Sequence, residues 1–226
     1  KISRVKQGAP DPETAIGAHY HIFLSHCWSN AQDQMQVLKQ RLIEKLPSVR
    51  VFLDIDDLVS GTGTNYLRLA EMVLVFCSSD YFSSKNCMRE LLYAVVRGIP
   101  IIALLEPEVN RGGLTKAQIL QRLYKARDSY KAWGFFDEHA NWAQKEEGTK
   151  PFPTHNAIFD ALFAHEPLEW HHVPRAFQDV TMRLIADRIA GSAHGTTFVP
   201  SEIRNQGGYN LPTLRPPHRF HVYVSP

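Results

Sequence analysis

Short apolar runs alternate with segments of helical period along the first half of the chain. Runs of strand length, rich in β-branched and aromatic residues, occupy 20–24, 49–53, 73–77 and 99–105, and a fifth run at 168–170 follows later. Strands that alternate with helices favour a parallel sheet covered on both faces and joined by right-handed crossovers. The pattern therefore predicts an α/β, flavodoxin-like three-layer fold with a central parallel sheet in the order 2-1-3-4-5.

Helices are predicted where apolar positions recur every three or four residues. The first helix is capped by Ser29 or Asn30, and its apolar positions are Ala31, Met35, Leu38, Leu42 and Leu46. A short helix is predicted over 65–71, followed by one that ends at Gly98 and has its apolar positions at Met88, Leu91, Leu92, Val95 and Val96. Another helix spans 116–130, and the last ends at Gly191 and has its apolar positions at Phe177, Val180, Leu184, Ile185 and Ile189. The loop 78–86 is polar and the loop 60–64 is glycine-containing, which predicts flexible connections.

The region around 133–163 is rich in Trp, Phe, Pro and His and has no clear period. We therefore expect an enlarged C-terminal half in which 107–166 is an insertion or an irregular region. The predicted organisation is a leader over 1–18, one domain over 19–191 and an extension over 192–226. Because the chain opens without Met and closes on an apolar alternation, we expect a domain cut from a longer protein with a further domain beyond it.

Composition narrows the class of protein. The chain is 44% hydrophobic and 21% charged with a formal net charge of +2, which indicates a globular protein without a nucleic-acid surface. No uninterrupted apolar stretch approaches the ~18 residues of a membrane span. Three cysteines without zinc-finger spacing fit a reducing, cytoplasmic location better than a disulfide framework. Neighbouring histidines such as His171 and His172 diverge on a strand, so we predict no metal site.

Chemistry is expected where loops 25–29 and 78–90 meet, at the switch point between strands 1 and 3. Glu90 lies about 200° around the helix from Met88, at ~100° per residue, so it points away from the apolar stripe toward a cleft or water. A glutamate in the first turn also complements a helix N-terminus without any chemical role, and periodicity alone leaves both interpretations open.

Other chemical interpretations fit the residues less well. His26 and Cys27 together suggest a thiol nucleophile, but neighbours on an extended chain point to opposite faces. The glycines at 61 and 63 lack the rest of a dinucleotide fingerprint or of a P-loop. A receiver domain needs acidic residues after strand 1 and an aspartate after strand 3, where this chain has His26-Cys27 and Ser78-Ser79.

Four motifs in order resemble the Toll/interleukin-1 receptor (TIR) domains. Phe23-Leu24-Ser25 is similar to the first strand of that family, Val51-Phe52-Leu53-Asp54 to its second strand, Asp56-Asp57-Leu58 through Gly61 to its BB loop, and Ser83-Ser84-Lys85-Asn86-Cys87-Met88-Arg89-Glu90-Leu91 to the serine-rich loop, Cys and Glu-Leu that open its third helix. The resemblance covers about 19–106 well and 167–190 loosely.

The resemblance implies two classes of function in a signalling or innate-immune defence protein. One is cleavage of the nicotinamide–ribose bond of NAD+ (an NAD+ nucleosidase, giving ADP-ribose or a cyclic form), with Glu90 as the catalytic carboxylate and NAD+ as substrate instead of a cofactor. The other is a non-catalytic module that self-associates or binds other TIR domains. The first is the interpretation that we favour.

The resemblance also implies roles for residues around Glu90. Substrate binding is assigned to Ser25, His26, Trp28, Asp54, Asn86 and Cys87, and docking of a neighbouring protomer to Asp56, Asp57, Leu58 and Gly61 of the BB loop. Asn86 stands where NAD-cleaving members often have a stacking tryptophan, and Cys27 and Trp28 replace common arginines. Trp28 can supply the missing π surface, although a loop tryptophan packed on the next helix is an equally good interpretation.

Overall fold

The computed structural model describes residues 19–53, 63–173 and 175–192. The predicted leader (1–18), Asp54, the BB-loop residues Asp56, Asp57, Leu58 and Gly61, and the extension from 193 onward lie outside the described residues.

Five parallel strands form one sheet in the order β2-β1-β3-β4-β5. They are β1 (Ile22–Ser25), β2 (Val51–Leu53), β3 (Val73–Cys77), β4 (Ile101–Leu105) and β5 (Leu168–Glu169). Phe23 of β1 lies opposite Phe52 of β2 and Val73 of β3. The predicted strand order and direction are confirmed, and the switch point falls between β1 and β3.

Helices cover both faces of this sheet. They are α1 (Trp28–Lys45), α2 (Gly63–Leu67), α3 (Lys85–Arg97), α4 (Lys116–Trp133), α5 (Phe135–Lys145), α6 (His155–Leu162) and α7 (Arg175–Ser192), with 3₁₀ turns at Tyr81–Ser83 and Val109–Arg111. Alternate strand residues face opposite ways, so Phe23 joins the core under α2 to α6 whereas Leu24 joins the core under α1 and α7. The result is the expected three-layer fold.

Residues 107–166 are mostly helical, and the expectation of an irregular region is corrected. Tyr130, Phe135, Ile158 and Leu162 are buried in the same core as α3. Local periodicity does not predict α5 and α6 because both helices are short and the segment between them contains prolines and a positive-φ glycine, Gly148.

Two helix details differ from the sequence predictions. The N-cap of α1 is Cys27, without a side-chain cap bond, and Ser29 lies inside the helix, where its hydroxyl donates to Asp80 Oδ2 at 2.7 Å. α2 begins at Gly63 and ends at Leu67, so it is shorter and earlier than the predicted 65–71. α3 ends as predicted, with Gly98 in the left-handed conformation at φ 68°.

The buried face of α7 also differs from the prediction. Met182, Ile185 and Ile189 are fully buried, whereas Phe177, Val180 and Leu184, which were assigned to the same apolar stripe, are exposed. None of the helices within the described part of the chain combines the length and apolarity that a membrane crossing needs.

Candidate functional site

A chain of three side chains joins the end of β1 to α3. Ser25 Oγ donates a hydrogen bond to Glu90 Oε2 at 2.6 Å and lies 2.7 Å from the Tyr81 hydroxyl. Ser25 and Tyr81 are fully buried and Glu90 is half-buried. The fold thus places the Glu90 carboxylate at the carboxyl end of β1, where ligands bind in open α/β sheets.

The direction of this chain follows from proton counting. The Ser25 hydroxyl has one proton, which it donates to Glu90, so the Tyr81 hydroxyl must donate to Ser25. Burial, with smaller contributions from the neighbouring Cys87 and Glu90 side chains, raises the pKa of Tyr81 well above its usual value, so the phenol keeps its proton. Both hydroxyls therefore hold their protons toward the carboxylate.

Gly63 is the second support of Glu90, and the sequence assigned it no role beyond a flexible turn. A Cβ placed on Gly63 would lie 2.5 Å from Glu90 Oε1, well inside van der Waals contact. The first residue of α2 therefore presents bare backbone to the carboxylate. The signal in the sequence was the glycine itself, which often marks a close approach of backbone to another group.

The position of Glu90 within α3 corrects one sequence inference. α3 begins at Lys85 after the cap Ser84, and no acidic residue lies in its first turn. The helix dipole acts mainly on the first turn, so the helix N-terminus does not account for the placement of Glu90. Glu90 is half-buried and accepts a hydrogen bond from Ser25.

Two thiols meet beside this carboxylate. Interaction with the Cys87 thiol is the main cause that lowers the pKa of Cys27 to about 6; burial of Cys27 and the charge of Asp80 oppose it. The same interaction, with burial, raises the pKa of Cys87 well above its usual value. Cys87 also lies 3.4 Å from the His26 carbonyl, to which its thiol can donate.

The His26 imidazole is turned away from these groups. It is buried between the Leu24 carbonyl and the Gln32 carboxamide, and burial lowers its pKa. His26 therefore faces α1, which does not fit the expected role in binding substrate, and it does not activate Cys27. The structure supports the argument that neighbouring side chains of this segment diverge.

Trp28 opens α1 with its indole 52% exposed. Among the described residues no ring contact involves it, and about half of its surface is open to solvent. Trp28 is the first residue of α1, so its backbone lies at the carboxyl end of β1, the end of the sheet that also holds Glu90. An exposed indole there contributes little to folding and is available to a planar ligand.

Asn86 is engaged on the side of α3 that faces α5. Its Oδ1 accepts a hydrogen bond from Arg89 Nη1 at 2.9 Å. Arg89 is buried and makes two further bonds, of 2.7 and 2.8 Å, to the Glu138 carboxylate of α5. The Asn86 carboxamide is therefore tied to an ion pair and offers no stacking surface of the kind a tryptophan would give.

A separate polar cleft of about 320 Å³ opens beyond β3 and β4, lined by Gln34, Ser79, Asp80, Glu106, Asn110, Arg111, Gly112 and His172. Glu106 is almost fully buried, and its Oε2 lies 2.7 Å from His172 Nε2. Within the described ranges, no three His, Cys, Asp or Glu side chains are grouped as a metal site requires.

Comparison with known proteins identifies the family. A sequence profile of the TIR domain matches residues 22–139, more than half of the chain. No curated protein matches, whereas 22 chains of solved structures do. One is the TIR domains of the activated Roq1 resistosome, which directly recognises the pathogen effector XopQ; it has 13% identity and a TM-score of 0.49, over 74% of this chain and 98% of that one. By the match of its sequence to the family, this chain belongs to the TIR domains.

Proposed function

We propose that this TIR domain cleaves the nicotinamide–ribose bond of NAD+ with Glu90 as the catalytic carboxylate, as part of a cytoplasmic signalling or defence protein. The observation that carries the proposal is the support of Glu90: Ser25 donates to one carboxylate oxygen, and the other lies against the backbone of Gly63. A glutamate that merely balanced a helix N-terminus would need neither contact.

The reaction requires little more from the protein than a negative charge held beside the ribose. The pyridinium of NAD+ leaves as neutral nicotinamide when it takes the bonding electron pair, so the leaving group needs no proton. The positive charge then develops on the ribosyl ring as an oxocarbenium ion, and a carboxylate at that sugar stabilises it. Water completes the reaction to ADP-ribose, or an intramolecular nucleophile gives a cyclic product.

The surroundings of Glu90 support this role. The hydroxyls of Tyr81 and Ser25 form a chain of hydrogen bonds that fixes the Glu90 carboxylate before substrate arrives. Such preorganisation is a large source of catalysis. The exposed Trp28 indole is the best available platform for the cationic nicotinamide ring, since a desolvated cation–π contact is worth about 2 kcal/mol.

The test is release of nicotinamide from NAD+, measured by chromatography that also separates linear from cyclic ADP-ribose. Glu90→Gln keeps the size and the ability to accept from Ser25 but removes the charge, so turnover should be lost. Glu44→Gln, an equivalent change at an exposed position of α1, is the matched control and should retain wild-type turnover. Turnover by folded Glu90→Gln at the wild-type rate would remove Glu90 from the mechanism.

The alternative is a TIR module that self-associates or binds other TIR domains without cleaving NAD+. It is favoured by the engagement of Asn86 with Arg89, which leaves the position of the family tryptophan without an aromatic ring. Asn86→Trp distinguishes the two functions: an enzyme should gain affinity for NAD+, whereas a scaffold should stay inactive. Silence of wild type and Asn86→Trp at high protein concentration, with both folded, would favour the scaffold.

A further inference from the structure

Cys27 and Cys87 form a contact that the proposed hydrolysis of NAD+ does not use. Cys27 precedes the first residue of α1, and Cys87 lies in the first turn of α3. Each thiol is the largest cause of the pKa shift of the other, although the two cysteines are 60 positions apart in the sequence. Cys87 also reaches the His26 carbonyl directly before Cys27, at 3.4 Å. The fold thus brings both sulfurs together at the mouth of the Glu90 site.

The two sulfurs differ in access and in charge. Cys27 is partly exposed, its Sγ lies 3.4 Å from the Ser29 hydroxyl, and the Ser29 backbone N–H also helps to lower its pKa. Cys87 is buried beneath it. With a pKa of about 6, Cys27 is largely a thiolate at neutral pH, whereas the raised pKa of Cys87 keeps that thiol protonated. An oxidant from solvent therefore meets a nucleophilic sulfur first and a second sulfur behind it.

We propose that Cys27 and Cys87 are a peroxide-sensitive couple, in which Cys27 is oxidised first and Cys87 resolves it to a disulfide. The inference that this disulfide forms does not depend on NAD+ cleavage. Its consequence, control of the Glu90 site, rests on the proposed function.

The reaction balances with one peroxide. The Cys27 thiolate attacks one oxygen of hydrogen peroxide, the O–O bond breaks, and the departing hydroxide takes a proton to become water. Cys27 is now a sulfenic acid. Cys87 loses its proton and attacks the Cys27 sulfur, the S–S bond forms, and the S–O bond breaks with release of a second water. A dithiol reductant reverses the change and is itself oxidised to a disulfide.

The disulfide alters the two segments that hold the carboxylate. Ser25 lies just before Cys27, and Glu90 lies one turn after Cys87. An S–S bond is ~2.05 Å long, and both cysteines are free thiols in this structure, so their sulfurs must draw closer for the bond to form. The loop after β1 must therefore move toward α3. Displacements of ~1 Å cost up to about 100-fold in rate, so oxidation should reduce nicotinamide release by tenfold or more.

The first experiment maps the disulfide without NAD+. The chain is treated with hydrogen peroxide, the remaining thiols are alkylated, and trypsin then separates the three cysteines into peptides 7–39, 69–85 and 86–89. We expect 7–39 to be linked to 86–89 and the link to disappear with dithiothreitol. Cys77, fully buried in β3, is the internal control and should stay a thiol. Cys27→Ser should leave 86–89 unlinked, and Cys87→Ser should leave Cys27 at the sulfenic or a higher oxidation state.

The second experiment measures nicotinamide release before oxidation, after it and after reduction, in wild type and in Cys27→Ser. We expect a reversible loss in wild type and none in the variant. Oxidation of Cys27 that yields no link to Cys87 would overturn the couple while NAD+ cleavage still stands. A mapped link in a protein that never releases nicotinamide would retain the couple and remove the proposed function. A link that forms without changing turnover would overturn the control of the site.

Discussion

At the scale of single residues, a substitution at Gly63, which contacts Glu90, should change activity without changing stability. In Gly63→Ala the new methyl group must displace Glu90 Oε1, and the end of a glutamate side chain moves at little energetic cost. We therefore expect unfolding free energy within about 1 kcal/mol of wild type, but a clear loss of nicotinamide release. Gly191→Ala, where a Cβ meets nothing within 4 Å, is the matched control and should change neither. Full activity in Gly63→Ala would show that the carboxylate position is not critical.

The hydroxyl chain can be tested by a double-mutant cycle. Ser25→Ala leaves the fully buried Tyr81 hydroxyl without its partner, which should cost about 1–3 kcal/mol of unfolding free energy. Adding Tyr81→Phe removes the stranded hydroxyl and should restore part of that stability. Activity should not return with it, because Glu90 still lacks the Ser25 proton. Denaturant unfolding and nicotinamide release, measured on the three variants, check both statements. If the losses of stability in the two single variants simply add in the double variant, the hydrogen-bonded chain of hydroxyls is contradicted.

Cys27 predicts an unusual pH profile of alkylation. Its thiolate fraction rises with pH through a pKa of about 6, so the rate of reaction with iodoacetamide should be half-maximal near that pH. Cys87→Ala removes the main cause that lowers the pKa while burial and Asp80 still raise it, so the midpoint should move up toward the ordinary cysteine value of about 8.5. The midpoint is the readout because intrinsic nucleophilicity falls as the pKa falls. An unchanged midpoint would exclude Cys87 as the cause.

At the scale of elements, local pattern predicted some features and could not predict others. The sequence predicts α3 because its apolar stripe and the glycine that ends it, Gly98, indicate the same helix. The five strand runs are predicted from local pattern in the same way. In α7, apolar residues occupy two adjacent stripes, and periodicity cannot say which of them faces the sheet. The choice is made by packing: Arg41 of α1 bonds Asp179 at 2.6 Å, and Trp170 fills the core beneath. Such contacts between distant segments are absent from any local pattern.

The ion pair between α3 and α5 should be a large contributor to stability. Glu138→Ala leaves the Arg89 guanidinium, whose side chain is 9% exposed, without its carboxylate. Stranding a buried charge costs about 3 kcal/mol, which at 2–4 °C per kcal/mol lowers Tm by roughly 6–12 °C. Glu108→Ala, which breaks the exposed pair with Arg111, should change Tm by no more than about 2–4 °C. Equal shifts in the two variants would contradict this ranking.

At the scale of the whole molecule, topology was predictable because a parallel α/β sheet has few allowed arrangements. Strand order also indicates that the loops after β1 and β3 converge, and Ser25 and Glu90 of the candidate site meet there. The partners of Glu90 were not predictable in the same way. Gly63 belongs to the βα unit of β2 and α2. The contact between Cys27 and Cys87 depends on how α1 and α3 are placed relative to each other.

Association between copies is testable at the same scale. If the BB loop of one copy completes the site of another, as the family resemblance implies, nicotinamide release should rise faster than linearly with protein concentration. Activity assays over a dilution series, paired with light scattering at the same concentrations, measure this dependence. Strictly linear activity from a monomer would mean that one chain holds a complete site.

The exposure of Trp28 gives the protein an internal optical probe. The other tryptophans are buried, as Trp170 is, or half-buried within aromatic contacts, as Trp133 and Trp142 are. Quenching of fluorescence by acrylamide should therefore report mainly on Trp28, and Trp28→Phe should remove most of the quenchable emission. A nicotinamide ring stacked on the indole would shield it, so occupancy of the site can be followed without a label and in the inactive Glu90→Gln variant, where substrate persists.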